Sequence, residues 1–378
     1  MTPAAWGAQT VNGIEVISVG GQSDGQFTLT NRVVAGAYEY SLYQGLPNAM
    51  NGNWYLRSQG GSSEPQWRPE IGGYLGNQSI VGVMQTQTLF DRKGTQFKSA
   101  NDSAWGRIVT GSQDSKAAGH HVDMNTDYTL IQVGGDLLTL SLGDQGINVG
   151  LMASYGDAQT DSTGNRSANG DRYKANGSVD GYSLGMYATW FADAKEERGA
   201  YVDSWLQHGW YSNSVNGEGM SSDSYDSRLW TASLESGYIW AMNEDKFSQW
   251  SLAPQAQVVY SHYSADSLTD VSGTEISNQK GESWTVRVGS RVMGRLTAGD
   301  SLFHPYAELN WLYNRQPASV AFDGENVQMN APKNRAEVKV GVQSEFDSRW
   351  STWIHFDAQT GADDYRQYSG GISVRYSW

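Results

Sequence analysis

Most of the chain alternates hydrophobic and polar residues with a period of two, the pattern of β-strands that have one apolar face. From about Trp105 onward this alternation recurs in twelve segments, and no helical periodicity of similar strength competes with it. The segments centre on residues 107–110, 129–133, 149–155, 182–190, 202–210, 230–238, 256–260, 286–293, 306–312, 338–342, 353–358 and 372–378. This part of the chain is therefore predicted to be all-β.

The two faces of these strands differ in chemistry. In the eighth segment the apolar face carries Val286, Val288 and Val292, and the basic face carries Arg287, Arg291 and Arg295. Aromatic residues lie near strand ends, as they do at membrane interfaces: Trp190, Trp210, Trp240, Tyr260, Trp311 and Tyr376. A barrel with lipid outside and a polar lumen accounts for both features.

The connections between the segments alternate in length. The long ones are rich in Gly, Ser, Asn and Asp, and the short ones are sequences such as ADAKEERG, NEDKFSQ and TAGDS. Outer-membrane barrels have long loops outside the cell and short turns in the periplasm, whereas a soluble sandwich has no reason to sort its loops. The pattern predicts a 12-stranded antiparallel transmembrane β-barrel with both of its ends in the periplasm.

One helix is predicted before the strands, within residues 67–94. Pro69 and Glu70 suit its first turn and Gly94 its C-terminus, so that it has about 23 residues and a length of about 34 Å. Glycines interrupt its apolar face at Gly72, Gly73, Gly76 and Gly82, and each costs about 1 kcal/mol in a helix. Such a helix needs enclosure. Because twelve strands leave a bore of about 10 Å, near the diameter of one helix, we expect it inside the pore.

Residues 1–66 contain short β-rich runs between Gly and Asn turns, among them QFTLTNRVVAGAYEYSLYQG and NWYLRSQ. Two interpretations fit these runs. They are strands of a small sheet, or they are the last rungs of a stacked β-solenoid. Since the helix joins the first barrel strand in the periplasm, its N-terminal end faces outward. We therefore expect residues 1–66 on the cell surface.

Composition narrows the candidate chemistry. The 378 residues include 26 basic and 40 acidic ones, a net charge of −14, and no cysteine. The acidic balance argues against nucleic-acid binding, and the absence of cysteine removes disulfides, Cys-ligated metals and thiol catalysis. His120–His121, and His262 with Asp266, are the nearest candidates for a metal or catalytic site, but neither has the required spacing. We expect no enzymatic activity, no metal and no cofactor.

Charged residues on the inward faces are expected to pair with one another and to hold the helix. The wall residues in this set are Asp203, Glu235, Arg287, Arg291, Arg295, Glu308, Glu337, Lys339 and Arg375. The helix residues expected to contact the wall are Glu70, Tyr74, Asn77, Asp91 and Arg92.

The order of these segments resembles one known family. A predicted β-solenoid end with AGAYEYSLYQG and WYLRS is followed by RPEIGGYLGN and LFDRKG, by a strand with WGR at residues 105–107, and by a barrel that ends in YSW. This order is similar to the C-terminal translocator and passenger end of a monomeric autotransporter of type V secretion. Within that family the chain resembles the adhesin subgroup of the diffuse-adherence and self-associating adhesins.

The resemblance implies an outer-membrane protein of a Gram-negative bacterium that anchors, and helps to export, its own N-terminal passenger, expected to be an adhesin. Residues 1–66 would be the C-terminal, stabilising end of a β-solenoid passenger, residues 67–94 the linker helix in the pore, and residues 95–378 the barrel. The barrel-assembly machinery and periplasmic chaperones would insert it into outer-membrane lipid. The terminal signal for this step would comprise Gly371, Val374, Tyr376 and Trp378.

Three alternatives are weighed against this function. Some autotransporters cut themselves at paired asparagines in the linker helix, but Asn77 is followed by Gln78, so this activity is not carried over. A channel or porin would need neither the helix nor the segment before it. An adhesin that acts through its barrel loops would bind without any passenger.

Overall fold

The computed structural model describes residues 7–10, 12–22, 24–59, 64–95, 101–166, 170, 172–245 and 248–378. Residues 1–6 of the predicted passenger end, and residues 96–100 at the start of the predicted barrel domain, lie outside these ranges. The division into three domains remains a prediction.

A small antiparallel sheet occupies the N-terminal part of the described chain. Its strands are β1 (Ile14–Ile17), β2 (Val33–Ala35), β3 (Tyr38–Leu46) and β4 (Ala49–Arg57), in the order β1-β4-β3-β2. All three pairings are antiparallel, whereas rungs of a β-helical solenoid stack in parallel. The pairing favours the first of the two interpretations, a small sheet. We call residues 7–59 the cap.

Two helices follow the cap in the described chain, where the sequence predicts one. Helix α1 (Glu70–Gln85) and helix α2 (Leu89–Lys93) are separated by extended backbone at residues 86–88. Thr88 starts α2 with a capping box, in which its hydroxyl accepts from the Asp91 amide and the Asp91 carboxylate accepts from the Thr88 amide. With 16 residues, α1 is about 24 Å long, shorter than the predicted single helix.

Twelve long strands form the closed barrel. They are β5 (Ser103–Ala117), β6 (Val122–Leu142), β7 (Gln145–Arg166), β8 (Arg172–Asp193), β9 (Arg198–Gly217), β10 (Ser222–Glu244), β11 (Ser248–Ala265), β14 (Lys280–Ala298), β15 (Ser301–Arg315), β18 (Asn334–Glu345), β19 (Trp350–Gly361) and β20 (Arg366–Ser377). Consecutive members of this set pair antiparallel, and β20 pairs with β5, which closes the wall. The predicted 12-stranded antiparallel barrel is confirmed.

The long connections that the sequence predicts between strands are only partly loops in the structure. Several continue as strands, so that β5 and β6 are joined by four residues, 118–121. Some inward side chains of these extensions are apolar, such as Met124 and Val215, and they belong to an apolar cluster with residues of α1 and the cap. Between β11 and β14, and between β15 and β18, short strands pair with one another at the mouth: β12 (Leu268–Thr269), β13 (Glu275–Ser277), β16 (Ser319–Phe322) and β17 (Glu325–Asn330). They join the barrel sheet where β17 pairs with β5.

The outward face of the barrel carries two aromatic girdles. Trp230 and Trp240 lie ten residues apart on β10, and both are about half exposed. At about 3.4 Å per residue and a tilt of about 40° they are about 26 Å apart along the membrane normal, which matches the apolar band of about 25 Å in such barrels. We call the girdle that contains Trp230 the outer girdle, because it lies toward the cap.

Candidate functional site

The pore is occupied by the chain segment that precedes the barrel. Helix α1 lies against β6 to β9, and three of its glycines face that wall. A Cβ atom on Gly73 would come within 2.9 Å of the Val215 side chain, and one on Gly72 or Gly76 would overlap Ser162 or Thr160, respectively. Glycine is needed at these positions because a side chain would push the helix away from the wall.

Gly82 faces the other way. No heavy atom lies within 4 Å of the place where its Cβ would be. It borders a cavity of about 240 Å³ between the helix and the opposite wall, which is lined by side chains including Arg335, Glu337 and Tyr365. The bore is therefore wider than the helix, which lies off-centre in it.

The two kinds of glycine give a matched pair of variants. We expect Gly76→Ala to lower the free energy of unfolding by about 1–3 kcal/mol, the usual cost of overpacking. We expect Gly82→Ala to raise it by about 0.4–1 kcal/mol, because alanine favours the helix and meets no neighbour. Urea titration followed by the gel mobility of folded and unfolded barrel measures both values. Equal effects of the two substitutions would contradict the off-centre packing.

The break between the helices is held by side chains of the wall. Gln207 donates to the Gln85 carbonyl at 2.7 Å, and Trp205 and Gln257 donate to the Gln87 carbonyl at 3.1 and 2.8 Å. Carbonyls that lose helical partners need others when they are buried. The barrel supplies these partners, so the break is a property of the helix and the wall together.

Three consecutive charged residues fix α2 in the lumen. Arg92 pairs with Asp203 at 2.6 Å, and Asp91 pairs with Lys339 at 3.0 Å. Lys93 pairs with Asp136 at 2.7 Å; this third pair is absent from the sequence-based set. Asp136 keeps the inward parity of Leu130 and Gln132 on β6 and lies just before a β-bulge, beyond the predicted segment centred on residues 129–133.

Glu235 and its neighbours hold the start of α2. Glu235 accepts hydrogen bonds from the Leu89 amide at 3.0 Å and from the Tyr201 hydroxyl at 2.9 Å. Arg287 lies 3.6 Å from Glu235 and 3.9 Å from Glu308, so it bridges the two carboxylates. The wall charges thus contact both one another and the helix backbone.

The remaining predicted lumen residues differ in what they contact. Arg291 pairs with Glu308 at 2.6 Å and donates to the Thr95 hydroxyl at 2.7 Å. Arg375 donates to the Lys93 carbonyl. Glu337 binds wall amides rather than the helix.

Arg295 does not belong with the buried lumen charges. It is exposed near the periplasmic end of β14, whereas Arg287 and Arg291 on the same face are buried. The alternation continues past the end of the packed lumen, so strand parity alone does not reveal where burial stops.

At the outer mouth, a group of buried charges joins the helix, the cap and a loop. Glu70 binds Arg32 of the cap at 2.9 Å and Arg68 at 3.1 Å. Arg68 also binds Asp270 of the β12–β13 loop at 2.8 Å. Burial opposes ionisation of Asp270, but Arg68 and nearby hydrogen-bond donors outweigh it and hold the pKa of this carboxyl below its usual value.

Further contacts seal the mouth around α1. Tyr74 donates to Asp223 at 3.1 Å, and Asn77 donates to the backbone carbonyls of Ser178 and Ser214 at 3.0 and 3.3 Å. One apolar cluster joins the cap, the helix and the loop strands, and it includes Ala35, Tyr38, Tyr40, Leu56, Ile71, Leu75, Ile276, Val320, Phe322 and Val327. The outer end of the pore is therefore closed by apolar packing together with buried ion pairs.

The predicted terminal signal lies on β20 and on Trp378, the residue that follows this strand. Gly371 faces inward, where a Cβ would meet His355, while Val374 and Trp378 are exposed and Tyr376 lies beside Trp350. Its use by an assembly machine remains a prediction.

The histidine candidates lie at the surface. The Nε2 atoms of His120 and His121 are each 3.3 Å from a carboxylate, of Asp363 and Glu64 respectively. His262 lies nearer to Glu282, at 3.9 Å, than to any other described carboxylate. Among the described residues, no group of three or more side chains has the composition of a metal site.

Comparison with known proteins agrees with this geometry. A family model described as the autotransporter beta-domain matches residues 104–357, and one for the type 1 autochaperone domain matches residues 2–42. The chain is 33% identical to the uncharacterized protein YdeU of Escherichia coli K12, covering 98% of this chain and 87% of that protein. It is 29% identical to the autotransporter adhesin AIDA-I of Escherichia coli, covering 98% of this chain and 30% of that protein.

The fold comparison points to the same class. The crystal structure of the AIDA-I transport unit from Escherichia coli superposes with a TM-score of 0.75 at 24% identity, covering 83% of this chain and 100% of that one. The beta domain of the Bordetella autotransporter BrkA gives 0.57 at 20% identity, covering 74% of this chain and 100% of that one.

A closed 12-stranded barrel with its own upstream segment in the lumen defines the class of outer-membrane translocators. This chain belongs to the autotransporter family. It spans about a third of the length of AIDA-I and of YuaQ, another Escherichia coli relative.

Proposed function

We propose that this chain exports its own N-terminal passenger to the cell surface, keeps it anchored there, and carries an adhesive passenger. The observation that carries the proposal is the path of the chain. The cap lies at the outer mouth, the helices run through the lumen, and β5 begins at Ser103 beside the periplasmic end of β20. Such a path is what a translocator holds once its passenger has passed through the pore.

The proposal that the passenger is adhesive is supported by the names of two relatives. AIDA-I is named an adhesin, and so is the BmaC autotransporter of Brucella suis. The absence of cysteine is consistent with export, because a periplasmic disulfide would cross-link a chain that must thread a narrow pore. Insertion by the barrel-assembly machinery, aided by periplasmic chaperones, would use the outward Val374, Tyr376 and Trp378 of the last strand.

A protease-site experiment tests the predicted sidedness. A specific cleavage sequence is inserted between Gly20 and Gly21 of the cap, where the backbone is exposed and free of neighbours. With the chain exported behind a signal peptide in a Gram-negative host, we expect added protease to cut this site in intact cells. Immunoblotting against the barrel measures the cut fraction.

A matched control uses the same cleavage sequence in the turn between β14 and β15, after Gly299, which is equally free of neighbours. We expect that site to be cut only after the outer membrane is permeabilised. The reverse pattern, with the cap cut only after permeabilisation, would place residues 1–66 in the periplasm and reject the proposal.

A further inference from the structure

One ionisable side chain faces lipid between the girdles. The outward positions of the described strands in this band carry apolar, small or hydroxyl side chains and girdle aromatics, and His208 is the one residue among them from the set Asp, Glu, Lys, Arg and His. An ionisable group on the lipid side of a membrane protein is costly and is commonly functional. Nothing in the translocation geometry uses it, since its side chain points away from the lumen.

His208 is held in a fixed position just inside the outer girdle. Its ring lies 4.1 Å from the ring of Trp230 and 4.4 Å from the ring of Trp210, with interplanar angles of 35° and 88°. Its Nδ1 is enclosed and has no hydrogen-bond partner among the described residues. Nε2 is therefore the ring nitrogen that can form a hydrogen bond, and its partner has to come from outside the protein.

Arg228 forms a square of four outward side chains on β9 and β10, together with His208, Trp210 and Trp230. Trp230 is directly opposite His208, and Arg228 is directly opposite Trp210. Arg228 is exposed, and no ion pair or hydrogen bond involves its side chain within the described chain. Asp226 lies one outward position further from the membrane, and its carboxylate does not reach Arg228 within 4 Å. The square thus presents two nitrogen donors, framed by two indole rings.

We propose that this square binds a phosphate group of lipid A, the phosphorylated glycolipid of the outer leaflet. The Arg228 guanidinium would form a bidentate ion pair with the phosphate oxygens. Nε2 of His208 would donate a further hydrogen bond to the same phosphate. The two tryptophans lie at the depth where headgroup and acyl chain meet. The square lies at the outer girdle, so lipid A rather than a periplasmic-leaflet phospholipid is within its reach.

Native mass spectrometry of the full 378-residue chain in detergent, with added lipid A, tests the proposal. We expect Arg228→Gln and His208→Phe each to weaken lipid A binding about tenfold, the loss expected for one charge-assisted hydrogen bond. Phenylalanine keeps the ring contacts with the tryptophans, and heat-modifiable gel mobility verifies that each variant is folded. Unchanged binding in both folded variants would overturn the proposal.

Arg315→Gln is the matched control, because Arg315 also lies outward and opposite a girdle tryptophan, Trp284, without a histidine beside it. We expect its lipid A binding to stay within twofold of the native chain. An equal loss in Arg315→Gln would mean general attraction by girdle cations and would reject a specific site. Equal affinity for phosphatidylglycerol would reject lipid A as the occupant.

Discussion

Replacing Asp203 with alanine is expected to lower the free energy of unfolding by about 3–5 kcal/mol, the usual cost of leaving one partner of a buried ion pair without its counter-charge. Asp203 and Arg92 have side chains that are both 0% exposed. Thr189 also donates to Asp203, at 2.6 Å, and the Arg92 guanidinium lies 4.6 Å from the centre of the Tyr187 ring. Urea titration followed by folded and unfolded gel mobility measures the loss.

Two control variants show whether a loss of stability in Asp203→Ala comes from the broken ion pair or from substitution in general. Arg92→Met with Asp203→Leu removes both charges of the pair, and we expect the double variant to be more stable than Asp203→Ala. Asp144→Ala removes the partner of Lys195 from an exposed pair, and we expect little change because exposed pairs contribute little. If Asp203→Ala costs no more than Asp144→Ala, the inner ion pairs do not hold the helix.

Replacing residues 70–94 with a Gly/Ser sequence of equal length should raise single-channel conductance at least about threefold. The length is kept so that the cap still reaches the outer mouth. A helix of 10–12 Å fills most of a 12-stranded bore, whereas a flexible chain in the same space leaves room for ions. Planar bilayer recordings of the purified full-length variant measure the conductance.

The control for this experiment is Gly82→Ala, which keeps both helices and points a methyl group into the cavity between α1 and the opposite wall. We expect its conductance to remain near that of the native chain. A folded Gly/Ser variant with native conductance would show that something other than the helices blocks the pore. High conductance of the native chain would favour the channel or porin alternative instead.

Much of the fold follows from local patterns in the sequence. The twelve alternating segments correspond to the twelve barrel strands, because a strand with lipid on one side and a polar lumen on the other must alternate. The aromatic ends of the segments correspond to the two girdles. Glu70, Asn77 and Arg92 lie in the pore segment and contact cap, wall or lumen partners, as the helix position implies.

Other features depend on contacts between distant parts of the chain. The break at residues 86–88 has no strong sequence signal, because it depends on distant wall residues. Trp205, Gln207 and Gln257 donate to the backbone carbonyls of Gln85 and Gln87. The pair of Lys93 and Asp136 is not in the sequence-based set because Asp136 lies beyond the segment centred on residues 129–133, although it keeps the inward parity of Leu130 and Gln132. Arg295 lies on the predicted face of β14 but is exposed, because periodicity gives the face of a residue and not its depth along the pore.

The sequence by itself determined the strand number, the order of cap, helix and barrel, and the chemistry of the two strand faces, since each of these is written in local periodicity and composition. Only the tertiary structure decided where α1 lies in the bore, which carboxylate holds each charge of α2, and how the loop strands close the mouth. These depend on the shape of the closed wall, which brings together residues more than 100 positions apart, such as Arg92 and Asp203.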